Sequence, residues 1–210
     1  MTSAEESETT TEQDHEEEAA PTQKENGLFP LVARDVALAA ALFSLFAAAD
    51  AWSILTGSGF AGFLSVVDGF LVGAGVTALA HEWGHYSGAR WTGADLPLKS
   101  LGSFPQVFGF DYVKCEPRHF MGLSVGGNVG HWLMVVVIAV FVPLATAGQV
   151  ALLSGAVGFA VFGSTVEFPV IARARQGASP FEALSVIHSN FVQRNGAMGL
   201  AAAALVFLVV

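Results

Sequence analysis

The chain has 210 residues, is 53% hydrophobic and only 13% charged, and carries a formal net charge of −9. That composition excludes an ordinary soluble domain and points to a polytopic membrane protein in a lipid bilayer, and the acid excess gives no footing for a nucleic-acid partner. The single Cys115 excludes an internal disulfide framework and a cysteine-based zinc or redox site.

The acid is concentrated at the start of the chain. Residues 1–26 hold nine Asp and Glu against Lys24 alone, so the remainder is nearly balanced. Residues 1–28 have almost nothing apolar to bury and are predicted to form a disordered acidic tail on the cytoplasmic side. With no basic start and no apolar stretch, the tail is not read as a secretory signal. Residues 29–210 are then the membrane-embedded unit.

The first predicted span covers 36–56 and stops at the turn Thr56-Gly-Ser-Gly59. The second covers 60–86 and ends in His81-Glu82-Trp83-Gly84-His85, preceded by an uncharged run from Gly69 to Ala80. Two histidines four apart share one helical face, one turn above each other, so both imidazoles can reach one zinc ion. Glu82 lies beside them as a base for the attacking water. Ionisable groups at this position in an apolar run are functional candidates, although a hydrogen-bonded core cluster would leave the same trace.

The following loop carries turn chemistry at Trp91–Pro97 and Gly102–Pro105, then alternates from Gln106 to Lys114 with Phe108, Phe110 and Tyr112 on one face. It is predicted as a short strand or hairpin. Either it offers an edge to an extended substrate, or it is an aromatic plug at the membrane surface.

From Phe120 to Val166 there is no acid, lysine or arginine. As helix this stretch is about 70 Å long, enough for two crossings, with the break expected near Thr146-Ala-Gly-Gln149. Ser179-Pro-Phe-Glu182 is a capping box opening a short helix, whose apolar stripe is Phe181, Leu184, Ile187, His188 and Phe191. Residues 197–210 are apolar but short and make a marginal last span unless their helix begins earlier.

Five spans place every base after the tail on one side: Arg34; then Arg90, Lys99, Lys114 and Arg118; then Arg173, Arg175 and Arg194. The positive-inside rule makes that side cytoplasmic, with the amino terminus inside. The fold class expected is therefore an all-α polytopic membrane protein of about five transmembrane helices, with a short β-like loop between spans two and three. The histidine motif falls near the cytoplasmic end of span two. Glu167, an isolated acid six residues before Arg173, falls at the same depth in span four and is the leading third metal ligand. Pairing with Arg173 or Arg175 is its structural alternative, and His131 in span three is the runner-up ligand.

His81-Glu-Trp-Gly-His85 followed by Ala89-Arg90 and Gly93 resembles the signature of site-2 protease-type intramembrane metalloproteases, and Gly126-Gly-Asn128-Val-Gly-His-Trp132 is similar to their glycine-rich asparagine stretch. That family usually supplies its third ligand as Asp in a Leu-Asp-Gly motif. Here Val166-Glu167-Phe-Pro169 stands in that region instead. The resemblance implies a zinc metalloendopeptidase acting on transmembrane protein substrates at the cell membrane. In that mechanism Zn2+ is held by His81, His85 and Glu167, Glu82 is the general base, and Asn128 hydrogen-bonds the oxyanion. The competing class is a non-catalytic metal-binding membrane scaffold or pseudoprotease, for which Glu82 would serve no purpose.

Overall fold

A bilayer core offers no water to backbone amides and carbonyls, so a long apolar run must close its hydrogen bonds within itself, and here each run does so as a helix. The computed structural model describes residues 27–210. Residues 1–26 of the expected tail lie outside the described residues, and Leu28 already opens the first helix. The elements are α1 (Leu28–Thr56), α2 (Gly59–Trp91), α3 (Pro117–Phe141), α4 (Ala147–Arg175), α5 (Pro180–Leu184) and α6 (Ser189–Val209). All but the short α5 are long and apolar enough to cross a membrane, which makes the chain an all-α integral membrane protein with five candidate spans.

Local chemistry sets the boundaries. Gly57, at φ 63°, takes the left-handed conformation that ends α1. Ser58 then caps α2 through Ala61 N–H. The expected break in the long apolar stretch falls at Val142–Thr146, and the Thr146 hydroxyl accepts from Gln149 N–H at 3.1 Å to start α4. The capping box is present, with the Glu182 carboxylate accepting from the Ser179 backbone N–H. Two hydrogen bonds from Ser179 hold that carboxyl below its usual range. The stripe from Phe181 to Phe191 is split between two helices, because His188 Nδ1 accepts from Phe191 N–H and caps α6. The last span begins at Ser189 rather than at 197. Its 21 residues reach about 31 Å and suffice to cross.

The expected strand or hairpin is a correction. Among the described residues there is no strand, and the loop keeps a single antiparallel bridge, Leu98 to Phe108. Lys99 N–H donates to Val107 C=O, and Gly109 N–H to Pro97 C=O. The alternation instead turns the aromatics inward: Phe108 packs on Tyr86, Phe110 on Tyr112, and Tyr112 on Phe120. The loop is an aromatic plug, not a free edge.

Helices in lipid associate by close packing rather than by expulsion of water, and small residues make that contact possible. A Cβ on Gly84 or Gly88 of α2 would collide with the backbone of Gly126 or Gly122 of α3. The order of these pairs makes α2 and α3 antiparallel. Contacts of Gly69 with Gly148 and of Gly73 with Leu152 run the other way, so α2 and α4 are parallel. Carried forward, that register sets His85 level with Ser164, within a turn of Glu167. Helix α4 is the enclosed element, with 61% of its most apolar stretch buried against 17% for α1 and for α6. At the opposite end of the bundle, buried Asp50 of α1 accepts from Ser65 (2.7 Å), Thr146 (2.8 Å) and Gln149 (3.1 Å), clamping α1, α2 and the start of α4.

Candidate metal centre

His81 and His85 project from one face of α2 towards α3 and α4. Their Nε2 atoms are 3.0 Å apart. Glu167 of α4 brings Oε1 to 3.1 Å from His85 Nε2 and 3.7 Å from His81 Nε2. The sequence-predicted ligand set is therefore assembled from two spans. Gly127 of α3 makes room for it, since a Cβ there would strike both imidazole rings.

The donor set fits a tetrahedral cation. Ligands at the usual zinc distances of 2.0–2.1 Å lie roughly 3.3 Å from one another, and the three observed separations, 3.0, 3.1 and 3.7 Å, bracket that value. Proton bookkeeping points the same way. His85 Nδ1 is 2.8 Å from the Leu123 carbonyl, which can only accept, so Nδ1 carries the proton and a neutral His85 presents a bare Nε2. His81 uses Nδ1 against His131, at 3.1 Å, which leaves its Nε2 facing His85 and Glu167. Three acceptors turned on one point repel unless a cation lies between them, and a proton would satisfy only one pair.

His131, the runner-up ligand, is fully buried and close by: one ligand atom each from His81, His131 and Glu167 fall within 4.8 Å of one another. Its Nδ1 meets the side of His81 away from His85, however, and its Nε2 meets Ser164 Oγ at 3.0 Å. It stands behind a ligand rather than beside it. Asn128 is also in the cluster, but its amide is not free for an oxyanion. Nδ2 donates to Glu167 Oε2 and to the Ser124 carbonyl, and Oδ1 accepts from Ser164. As placed, Asn128 orients Glu167.

Glu82 points elsewhere. No described residue hydrogen-bonds or pairs with its carboxylate, and it opens on a cavity of about 390 Å³ shared with His85, Lys99, Gln106 and Tyr112. A second cavity, of about 210 Å³, lies against His81, His85 and Glu167 and is walled by Phe159, Phe162 and Ile187. Tyr112 and His85 border both. The Tyr112 phenol is held above its usual range by burial, then by the negative charge of Glu82, then by Cys115. The three predicted ligands thus sit between a polar chamber and an apolar one.

Several participants escape sequence reasoning. Ser164 and Trp132 join the cluster, with Trp132 Nε1 donating to Ser164 Oγ at 2.9 Å. Trp83, inside the histidine motif, donates to buried Asp35 of α1 at 2.9 Å. Arg34 pairs with Asp35 at 2.7 Å and also bonds the Leu101 carbonyl of the loop, so α1 ties the motif to its cover. An acid at the edge of an apolar span was the available signal for Asp35. Ser164 and Trp132 gave none. Compared with protein-family models, curated proteins and solved structures, the chain matches none.

Proposed function

We propose that the chain is an intramembrane zinc metalloendopeptidase of the site-2 protease type, which hydrolyses peptide bonds in or near transmembrane helices of membrane protein substrates. In this reading it lies in the cell membrane with its amino terminus and site towards the cytoplasm, as the distribution of its basic residues favours. The observation that carries the proposal is the meeting of three metal-ligating side chains from two spans, His81, His85 and Glu167, beside a carboxylate, Glu82, that no described residue hydrogen-bonds or pairs with.

Zinc bound by those three residues supplies Lewis-acid polarisation of the scissile carbonyl and activation of water. Glu82, on the side of the polar chamber, takes a proton from the attacking water and delivers it to the leaving amine. Its freedom from competing hydrogen bonds suits that exchange, because the carboxylate must gain and lose a proton within one turnover. The chamber walled by Phe159, Phe162 and Ile187 suits an apolar substrate side chain at bilayer depth. A substrate helix must unwind there, since helical backbone hides its carbonyls.

The test is Glu82→Gln in purified full-length protein, reconstituted in liposomes with a panel of single-span reporter proteins. The expected result is a loss of cleavage of at least ~10²-fold, the usual contribution of general acid–base catalysis, with zinc still bound at one per chain. Undiminished cleavage removes Glu82 from the mechanism. Wild-type protein that binds zinc and cuts no reporter supports the scaffold reading instead.

A further inference from the structure

His131 has no place in the reaction as proposed, yet it is fully buried and hydrogen-bonded at both ring nitrogens. The donors around it can be assigned by elimination. Asn128 faces Glu167 and the Ser124 carbonyl with one end of its amide; both are acceptors, so that end is the NH2 and Oδ1 faces Ser164. Ser164 Oγ, 2.9 Å from Oδ1, must spend its only proton there. It then accepts from Trp132 Nε1–H at 2.9 Å and from His131 at 3.0 Å, which puts the His131 proton on Nε2. Neither hydrogen-bond partner of His131 is an acid, so with its one proton on Nε2 the ring presents a bare Nδ1. The partner at 3.1 Å, His81 Nδ1, must therefore be the donor. That leaves His81 Nε2 bare and aimed at His85 and Glu167. The opposite tautomer of His131 would set two lone pairs face to face at Ser164, whose proton is given to Asn128.

We infer that His131 is a positioning residue for the metal centre, resting on the metal-site reading above. It accepts the Nδ1 proton of His81 and thereby fixes the ring and its metal-binding tautomer. Through Ser164 and Asn128 the same chain reaches Glu167, so one directional run of hydrogen bonds orients a ligand at each end. The run passes from α2 to α3 to α4, back to Asn128 of α3 and on to Glu167 of α4. It couples the proposed ligands of two separate spans through His131 and Asn128 of α3 and Ser164 of α4.

The experiment is zinc affinity of purified full-length protein in detergent micelles, read by competition with a chromophoric chelator. It is paired with the ligand-field spectrum of the cobalt-substituted form. His131→Ala is expected to weaken zinc binding 10–100-fold, the range for loss of an outer-shell partner. His131→Asn sets a carbonyl oxygen where Nδ1 was and restores binding to within about threefold of wild type, with an unchanged cobalt spectrum. His131→Gln carries its amide at the Nε2 side and stays weak. Since Asn and Gln differ in which atom they mimic, a packing role would not separate them in this way. Ser164→Ala, a milder change, also weakens binding. Equal affinity in wild type, His131→Ala and Ser164→Ala overturns the positioning role and leaves the metal site standing. A cobalt spectrum altered by His131→Asn makes His131 a ligand and overturns it as well. Wild-type protein that binds no zinc overturns this inference together with the proposed function.

Discussion

Replacing Gly127 by alanine adds one methyl group against the edges of both ligand imidazoles. A Cβ built there overlaps His85 Cε1 and comes to 2.7 Å from His85 Nδ1 and 2.9 Å from His81 Cε1. Unstrained contacts of this kind lie at about 3.5–4.0 Å, so each ring has to retreat by about 1 Å. Helix α3 cannot withdraw instead, because Gly126 and Gly122 already hold its backbone against Gly84 and Gly88 of α2. Overpacking of this size costs about 1–3 kcal/mol, a strain a packed bundle can carry. The centre cannot carry it, because ligand distances must hold within about 0.2 Å. Zinc affinity should fall beyond the ~100-fold that marks the upper end for loss of an outer-shell contact. The assay is chelator competition on the detergent-solubilised protein, with thermal unfolding of the metal-free form as the check on folding. Gly196→Ala is the control: that position has nothing within 4 Å of a new Cβ and lies inside α6, so it should leave zinc affinity and folding intact. A folded Gly127→Ala protein with wild-type zinc affinity would refute the placement of the two rings, and with it the centre.

Two further predictions separate the site from its scaffold. Asp50→Ala strands three donors on Ser65, Thr146 and Gln149. At about 0.6 kcal/mol per interhelical hydrogen bond in a membrane, the loss should be about 2 kcal/mol in denaturant unfolding. Zinc affinity should not change, since Gln149 and Glu167 are about 27 Å apart along α4; a loss of zinc would mean the clamp and the centre are coupled. In a Tyr86→Phe background Tyr112 is the sole tyrosine, and its absorbance titration should fall above the usual value of about 10. Because its folded value is raised, the neutral phenol's contribution to stability is complete below the unfolded value and is lost as pH rises through the folded one. Removing the neighbouring charge with Glu82→Gln should bring the titration part of the way back, burial being the larger cause. A midpoint at the ordinary phenol value would show that Tyr112 is not enclosed beside Glu82.

The spans were legible because bilayer thickness imposes a length on apolar runs and the bases sort to one side. His81, Glu82 and His85 were legible from helical spacing alone, and Glu167 from its depth and isolation. The loop was misread because alternation serves an inward-packed aromatic plug as well as a strand, and sequence does not say whether a partner strand exists. For Asn128 the position was readable but the partner was not: its hydrogen bonds depend on the register of α3 against α4, which glycine contacts between three helices determine. Ser164 lay beyond reach for the same reason. Asp50 was a different case. An acid inside an apolar span is a signal in its own right, and here it marks a clamp, with donors from α2, from α4 and from the N-cap of α4.

Charge balance gives a last reason why these residues belong together. Placing His81, Glu82, His85 and Glu167 in an apolar bundle brings in two carboxylates and two neutral imidazoles, a net charge of −2 when both acids are ionised. A single proton on the cluster would leave −1, still costly in a medium that solvates ions poorly. One divalent cation leaves the group neutral. The first arginine after each motif is bonded to a loop: Arg90 to the Ala94 carbonyl, and Arg173 to Glu182 C=O and the Ser185 hydroxyl. Among the described residues no lysine or arginine pairs with Glu82 or Glu167, although Lys99 lines the cavity on which Glu82 opens. Glu167 is left to the imidazoles and Asn128, and in the proposed reading a divalent cation would offset the charge of both carboxylates.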